Sequence, residues 1–444
     1  MVLPTVRLVA LLALGLAYAT FSVKHQPPGI ARLLMSLPVM LLFTVLPLQL
    51  QESVIVSGSL GFLLGWLGNF KLLAYSANRG PLAYPGLGAW QWLLFLLLPY
   101  FPAKRNHIPA RSRAIILSLL CKVALMVGLT FFLLSPFATP YKIVRHTGYA
   151  LYVWLAASIL LDTSMPLGCS LLGHMELQSA MDKPFASISV REFWGQRYNQ
   201  IVSSILKDTI YDPIMDGGWM ACRGTYNEKR SSSAAAADIN ACSGADAAKG
   251  YLEEDGHLPS VVLRSPAVGE APRHRSAITA VASVTNIVPA ASLPPHDRCG
   301  SGRVSGSGTM RRRVSKRRRL LAVWSAFAVS GVMHEACLMY MCHNRLEGSF
   351  RMMAFFLLQP LIMIAQDNTV EAVSGLVPER LRRSRAAVIL QIVVTLALVL
   401  LSADQLFWGP FETCRVDERG LAEAMGAFRA VGDWCGRLAV RLPF

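Results

Sequence analysis

Apolar runs of roughly the length a bilayer demands recur through this chain and leave few folds open to it. A helix crossing the hydrocarbon core needs about 20 consecutive, mostly apolar residues. Runs of this kind occupy Leu3–Val23, Leu33–Leu50, Val54–Tyr75, Trp90–Phe101, Ala114–Leu134, Gly148–Leu161, Leu320–Met341, Met352–Ile364 and Ala387–Phe407. The fourth, sixth and eighth are short, and a run of about 10–14 apolar residues equally suits a re-entrant or interfacial segment. The pattern therefore predicts an all-α polytopic membrane protein with seven to nine transmembrane helices. Composition agrees: 16% of residues are charged, against about 25% in a soluble domain. The first run, with Arg7 and a short apolar core, has features of a cleaved signal peptide; the later runs fix the class either way.

The formal charge of +16 suggests nucleic acid until its placement is considered. Arg79, the Lys104–Arg113 stretch and Lys142–Arg145 flank apolar runs, as expected for cytoplasmic loops beside anionic headgroups. The densest basic run, RRRVSKRRR at 311–319, directly precedes the run that starts at Leu320 and reads as a cytosolic anchor. No nucleic-acid partner is expected. The nine cysteines include no C-x-x-C pair, and several lie in apolar runs. That usage predicts reduced thiols, neither a disulfide framework nor a metal site.

Five segments follow from composition. Residues 1–163 hold the N-terminal spans, punctuated by Pro27-Pro28, Pro81 and Pro85, which stop helices before they restart. Within 164–218, Val190–Ile205 spaces Phe193, Trp194, Tyr198, Ile201, Val202 and Ile205 at helical intervals among polar residues, predicting an amphipathic helix at the interface or dipping into the interior. Residues 219–318 include SSSAAAA and GSGRVSGSG and lack the apolar surface to offset the entropy of ordering; a disordered insertion, or an intron read as exon, is expected. Residues 319–410 hold the C-terminal spans, and 411–444 a tail. No internal repeat is visible.

An ionisable side chain inside a span needs a reason, since a charge there costs about 2.5–3.5 kcal/mol on insertion scales. Of nine histidines, only His334 lies well inside a predicted span. Ser330 and Gly331 precede it by four and three residues and share its face. Gly331 removes bulk there, admitting a substrate or another helix. Glu335 points about 100° away, where it can orient a neighbouring element or meet a basic partner. The plainer alternative is a packed histidine bonded to a carbonyl of the next helix, with Glu335 paired to an arginine. A second segment, Arg191-Glu192-Phe193-Trp194-Gly195-Gln196-Arg197-Tyr198-Asn199, sets an amide and two guanidinium groups among aromatics. Guanidinium groups suit phosphate recognition, although an interfacial helix with an aromatic belt and snorkelling arginines has the same composition. G-x-S-x-G, Walker A, G-x-G-x-x-G, H-E-x-x-H, H-x-x-x-x-D and HHxxxDG are all absent, which removes support for hydrolase, nucleotide-binding, zincin and two other acyltransferase types.

Four blocks, in order, resemble the plant wax synthases of the membrane-bound O-acyltransferase superfamily. Leu67-Gly68-Asn69-Phe70-Lys71-Leu72-Leu73 with Arg79-Gly80-Pro81-Leu82 is similar to NFKLLL…RGPL. Ser189–Asn199, continuing into Val202–Leu206 and Tyr211-Asp212-Pro213, is similar to SLQDFWGRRWN. Val329–Glu335 is close to VSGLMHE, and Leu406–Pro410 to LFFPP. The second and third blocks are specific. The match spans about 300 residues, outside 219–318 and the far C-terminus.

The resemblance implies a membrane-bound O-acyltransferase-like helical fold, and transfer of a long-chain acyl group from acyl-CoA to a long-chain fatty alcohol, giving a wax ester. It makes His334 the general base and Asn199 the residue that positions the thioester or donates to the oxyanion. Phe193, Trp194, Tyr198, Ser330 and Glu335 become substrate-binding candidates, and Arg191 and Arg197 candidates for CoA phosphates or anionic headgroups. No metal or bound cofactor is implied, acyl-CoA being a co-substrate; the partners are acyl-CoA, a fatty alcohol and membrane lipids, in the endoplasmic reticulum membrane. Departures are Gln196 for an arginine, Tyr198 for a tryptophan and Trp408-Gly409 for Phe-Pro. A sterol or other lipid alcohol is the alternative acceptor. Transporter and inactive-scaffold readings differ in class, the transporter requiring further ionisable residues within the spans.

Overall fold

The computed structural model describes residues 2–50, 52–103, 112–137, 140–173, 175–221, 315–342, 350–382 and 384–441. Residues 222–314, and with them nearly all of the predicted insertion, lie outside the described residues, as do 104–111 of the Lys104–Arg113 stretch.

Among the described residues seven helices are long and apolar enough to cross a membrane: Val6–Val23, Ile30–Gln49, Val54–Ser76, Ile116–Leu133, Lys142–Leu171, Lys316–Met341 and Arg385–Thr413. Large side chains such as Leu14, Phe21, Leu41, Val332 and Leu390 are more than half exposed. Such outward apolar surface fits a lipid solvent, and the chain is an integral membrane protein.

In chain order the helices used below are α1 (Val2–Tyr18), α2 (Ile30–Val45), α3 (Val54–Leu60), α4 (Asn69–Ser76), α5 (Ala89–Leu97), α6 (Ser112–Leu133) and α7 (Lys142–Leu171). They continue as α8 (Val190–Glu192), α9 (Gln200–Leu206), α10 (Asp212–Asp216), α11 (Lys316–Met341), α12 (Arg351–Ser374), α13 (Arg385–Leu406), α14 (Gly409–Thr413) and α15 (Val416–Arg441). The Gly148–Leu161 run belongs to the longer α7, which starts at Lys142 and passes through residue 163. Trp90–Phe101 contributes only the nine-residue α5, too short to span. The 411–444 segment is mostly helix, as α14 and α15.

The central span is α3 running through a π-helical stretch, Gly61–Gly68, into α4; 56% of it is buried, against 11–33% for the other six. Its glycines make that possible. A Cβ on Gly65 would stand 3.1 Å from the Tyr340 hydroxyl of α11. Gly61 and Gly65 thus form the small-xxx-small surface that lets two membrane helices approach. Gly331 on α11 does the same toward α12, where an added Cβ would lie 3.0 Å from Met353 Cα.

Several ionisable groups besides His334 lie along the spans and their connections. Lys71, fully buried, donates to the carbonyls of Phe95 (2.6 Å) and Leu98 (2.5 Å). It satisfies the C-terminal carbonyls of α5, groups a helix end otherwise leaves orphaned. Lys122 is paired with Asp162 and with the Ser158 hydroxyl (2.8 Å). His146 on α7 places Nδ1 2.7 Å from Asp404 and Nε2 2.9 Å from Glu412, and Lys142 and Arg145 also face Glu412. The Lys142–Arg145 stretch is therefore helix engaged with α14, and Arg79 is a buried residue that pairs with Asp216 at 3.0 Å. Each charge has a partner, as low-dielectric surroundings require.

One disulfide, Cys342–Cys414, with Cα atoms 5.6 Å apart, corrects the prediction of reduced thiols throughout. It ties the C-terminal end of α11 to the end of α14. The two cysteines are 72 residues apart in sequence, and such a pairing is set by three-dimensional proximity that spacing does not reveal.

Candidate active site

His334 lies on α11, with its imidazole Nδ1 2.8 Å from the carbonyl oxygen of Ser330 in the preceding turn. A carbonyl can only accept, so Nδ1 carries the hydrogen, and in the neutral ring Nε2 is left with a lone pair. Three rings surround the imidazole: Phe356 at 4.3 Å, Trp66 at 5.0 Å and Phe407 at 5.8 Å between centroids. Val332, about 160° around the helix, is 51% exposed and marks the lipid-facing side. His334 keeps accessible surface although Trp66 and Phe356 beside it are 1% and 3% exposed. The imidazole is therefore packed on the inner side of α11, opposite Val332.

The Val190–Ile205 segment forms the adjoining wall, and here the structure departs from one continuous amphipathic helix. α8 passes into a π-helical turn, Phe193–Arg197, and the chain breaks at Asn199, whose backbone is left-handed (φ 41°). Asparagine tolerates that conformation, and its Oδ1 accepts the Val202 N–H (3.3 Å) to cap α9. Ser203 donates to the Trp194 carbonyl (2.8 Å), bracing the break. Val190 and Phe193 are buried, so the segment dips into the protein. Trp194 lies edge-on to Tyr198 (5.6 Å) and Phe327 (6.3 Å) and tilted against Phe356 (5.9 Å), joining this wall to the rings around His334. Its indole N–H donates to Oε1 of the fully buried Gln359 (3.0 Å). Burial pushes the Tyr198 phenol up to about 12. The phenol therefore stays protonated at ordinary pH, a hydroxyl donor rather than an anion.

The predicted residues do not all converge. Ser330 meets His334 through its carbonyl, and Phe193, Trp194 and Tyr198 line the neighbouring wall. Glu335, 8% exposed, accepts the backbone N–H groups of Met352 (3.0 Å) and Met353 (3.3 Å). It caps the start of α12 and, among the described residues, pairs with no arginine. Arg191 is half exposed and paired with Asp367. Arg197 is bonded to Glu192 (2.7 Å) and to the Asp182 carbonyl (3.3 Å). Asn199 is engaged through its Oδ1 and backbone, and its Nδ2 has no protein partner among the described residues. Gly331 admits α12 rather than leaving open space.

Sequence reasoning missed Trp66, Phe356, Phe407 and Gln359, apolar or amide residues lost in apolar runs. It also missed the His146–Asp404–Glu412 cluster, which holds the α13–α14 corner carrying Phe407. Among the described residues no group of three or more His, Cys, Asp or Glu is arranged to hold a metal ion.

No family model matches the chain. It is similar to an acyl-CoA–sterol O-acyltransferase 1 of Arabidopsis thaliana, 24% identical over 428 residues, covering 94% of each protein. It is also similar to a long-chain-alcohol O-fatty-acyltransferase of Simmondsia chinensis, 33% identical over 209 residues, 44% of this chain and 58% of that one. A probable long-chain-alcohol O-fatty-acyltransferase 3 of Arabidopsis thaliana is 27% identical over 219 residues, 49% of this chain and 61% of its own length. Against these long-chain-alcohol relatives the match thus spans about three fifths of their length.

Proposed function

We propose that this chain, a relative of the plant long-chain-alcohol O-fatty-acyltransferases, is a membrane-embedded O-acyltransferase that moves a long-chain acyl group from acyl-CoA to a long-chain fatty alcohol. The observation that carries this reading is the His334 imidazole: Nδ1–H is held by the Ser330 carbonyl, leaving Nε2 as a proton acceptor among the rings of Trp66, Phe356 and Phe407.

In the reaction, Nε2 takes the hydroxyl hydrogen as the alcohol oxygen attacks the thioester carbonyl carbon. The C–O bond forms, the C–S bond breaks and its electron pair leaves with sulfur. The proton then passes from the imidazole to that sulfur, giving an ester and free CoA with His334 restored. General-base assistance of this kind contributes about 10²–10⁴-fold. Asn199 positions the thioester through its unpartnered Nδ2. Trp194, Phe193 and Tyr198 pack along the acyl chain. Glu335 acts through α12, holding Phe356 against the imidazole. Excluding water from an apolar chamber protects the thioester from hydrolysis.

Arg197 serves the CoA end, and Arg191, half exposed, meets phosphate or headgroups. The basic run before α11 marks the cytosolic face, where CoA is soluble, and the endoplasmic reticulum is the membrane we assign. No metal or resident cofactor takes part; acyl-CoA is consumed as a substrate.

A sterol acceptor is the second reading, favoured by the similarity to an acyl-CoA–sterol O-acyltransferase over 94% of both chains. The experiment is expression in a host unable to make neutral lipid esters, fed in parallel with fatty alcohols and sterols, with the lipid products identified by mass spectrometry. Wax esters are expected. Steryl esters alone would change the acceptor, and no ester with either would end the acyltransferase reading.

A further inference from the structure

The mechanism so far leaves one polar group beside the imidazole unused. Trp66 is 1% exposed, and its indole Nε1–H has no hydrogen-bond partner in the structure. An orphaned buried N–H costs about 1–3 kcal/mol and calls for an explanation. Trp154 and Trp408 also carry buried unpartnered indoles. Among these three, Trp66 alone has a ring contact with His334, 5.0 Å between centroids and 74° between planes.

The backbone points the same way. Trp66 sits in the π-helical stretch Gly61–Gly68, a form frequent at functional sites that also occurs at Ala19–Val23 and Lys207–Tyr211. The adjacent Gly65, with Gly61, brings this stretch against Tyr340 of α11, about one and a half turns from His334. The glycine face thus fixes how close the indole stands to the base.

Resting on the acyltransferase reading, we infer that Trp66 is a second catalytic residue, whose indole N–H donates to the thioester carbonyl oxygen. When the alcohol oxygen adds to the carbonyl carbon, the C=O π pair moves onto that oxygen, and the N–H stabilises the resulting oxyanion. Collapse re-forms the C=O bond and expels the CoA thiolate, which takes its proton from His334. A fixed donor in a water-poor site acts without reorganisation, and removing one such donor typically costs about 10²–10³ in kcat. In this role the thioester oxygen supplies the acceptor that the buried N–H otherwise lacks.

The test is Trp66→Phe, which keeps a ring and removes the N–H, with Trp66→Leu as a second N–H-free side chain. Trp154→Phe serves as the control for losing an orphaned indole N–H elsewhere. Ester formation from acyl-CoA and fatty alcohol is measured in membranes per amount of monodisperse protein. The expected result is a fall in kcat of about 100-fold for both Trp66 variants, KM for acyl-CoA within about threefold, and Trp154→Phe near wild type. Rates within about threefold of wild type per folded protein, or an equal loss in Trp154→Phe, would overturn the inference. If the wild type formed no ester, the acyltransferase reading would fall and this role with it; an active wild type with an unaffected Phe variant would remove the role alone.

Discussion

Replacing Glu335 separates its work as a strut from the chemistry of its neighbour. Glu335 Oε1 accepts from the backbone N–H groups of Met352 and Met353, and α12 has no capping side chain of its own, since its N-cap is Phe350 in a left-handed conformation. Glu335→Ala leaves two N–H groups without an acceptor beside Met352, which is 1% exposed. Each buried orphan costs about 1–3 kcal/mol, and loss of a helix cap about 0.5–2 kcal/mol. With some overlap between those terms, the net expectation is roughly 2–4 kcal/mol. Glu335→Gln keeps an acceptor oxygen in place and should lose about 1 kcal/mol, the difference between a charged and a neutral acceptor. The assay is the thermal midpoint of monodisperse protein in detergent, where about 1 kcal/mol corresponds to about 2–4 °C in a domain of 150–250 residues. The Ala variant should melt several degrees below the Gln variant, and ester formation should fall further in Ala because Phe356 loses its register against His334. Equal midpoints for the two variants, or an Ala variant as stable as wild type, would refute the strut.

Two further outcomes follow from the packing. His146→Ala takes a hydrogen-bond partner from the buried Asp404 and from Glu412, which keeps Lys142 and Arg145, and a buried group left unsatisfied costs about 1–3 kcal/mol; a lower thermal midpoint is expected, and a midpoint equal to wild type would contradict the cluster's role. Maleimide labelling of denatured protein should gain at least two thiols on reduction, and Cys342→Ser/Cys414→Ser should gain two fewer; the same gain in that variant would exclude the disulfide.

The spans were legible because long apolar runs need no knowledge of the partner surface. His334 was legible for the same reason, as a polar residue in such a run. What escaped depends on groups distant in sequence. Lys71 finds its acceptors at residues 95 and 98, and His146 finds Asp404 258 residues away, so neither compensation is written locally. The break at Asn199 follows from a left-handed residue held by Ser203 and Val202, which the helical spacing of the aromatics conceals. Trp66 reads as one more apolar residue until the glycines beside it are seen packed on Tyr340.

The central claim is that the His334 Nε2 lone pair takes the alcohol's proton. Its most direct measurement is the initial rate of ester formation by purified protein, wild type against His334→Ala and His334→Gln, with midpoints recorded alongside. A loss of at least about 100-fold in both variants, with midpoints close to wild type, is the predicted result. A folded alanine variant that still made ester at more than about a tenth of the wild-type rate would contradict the account.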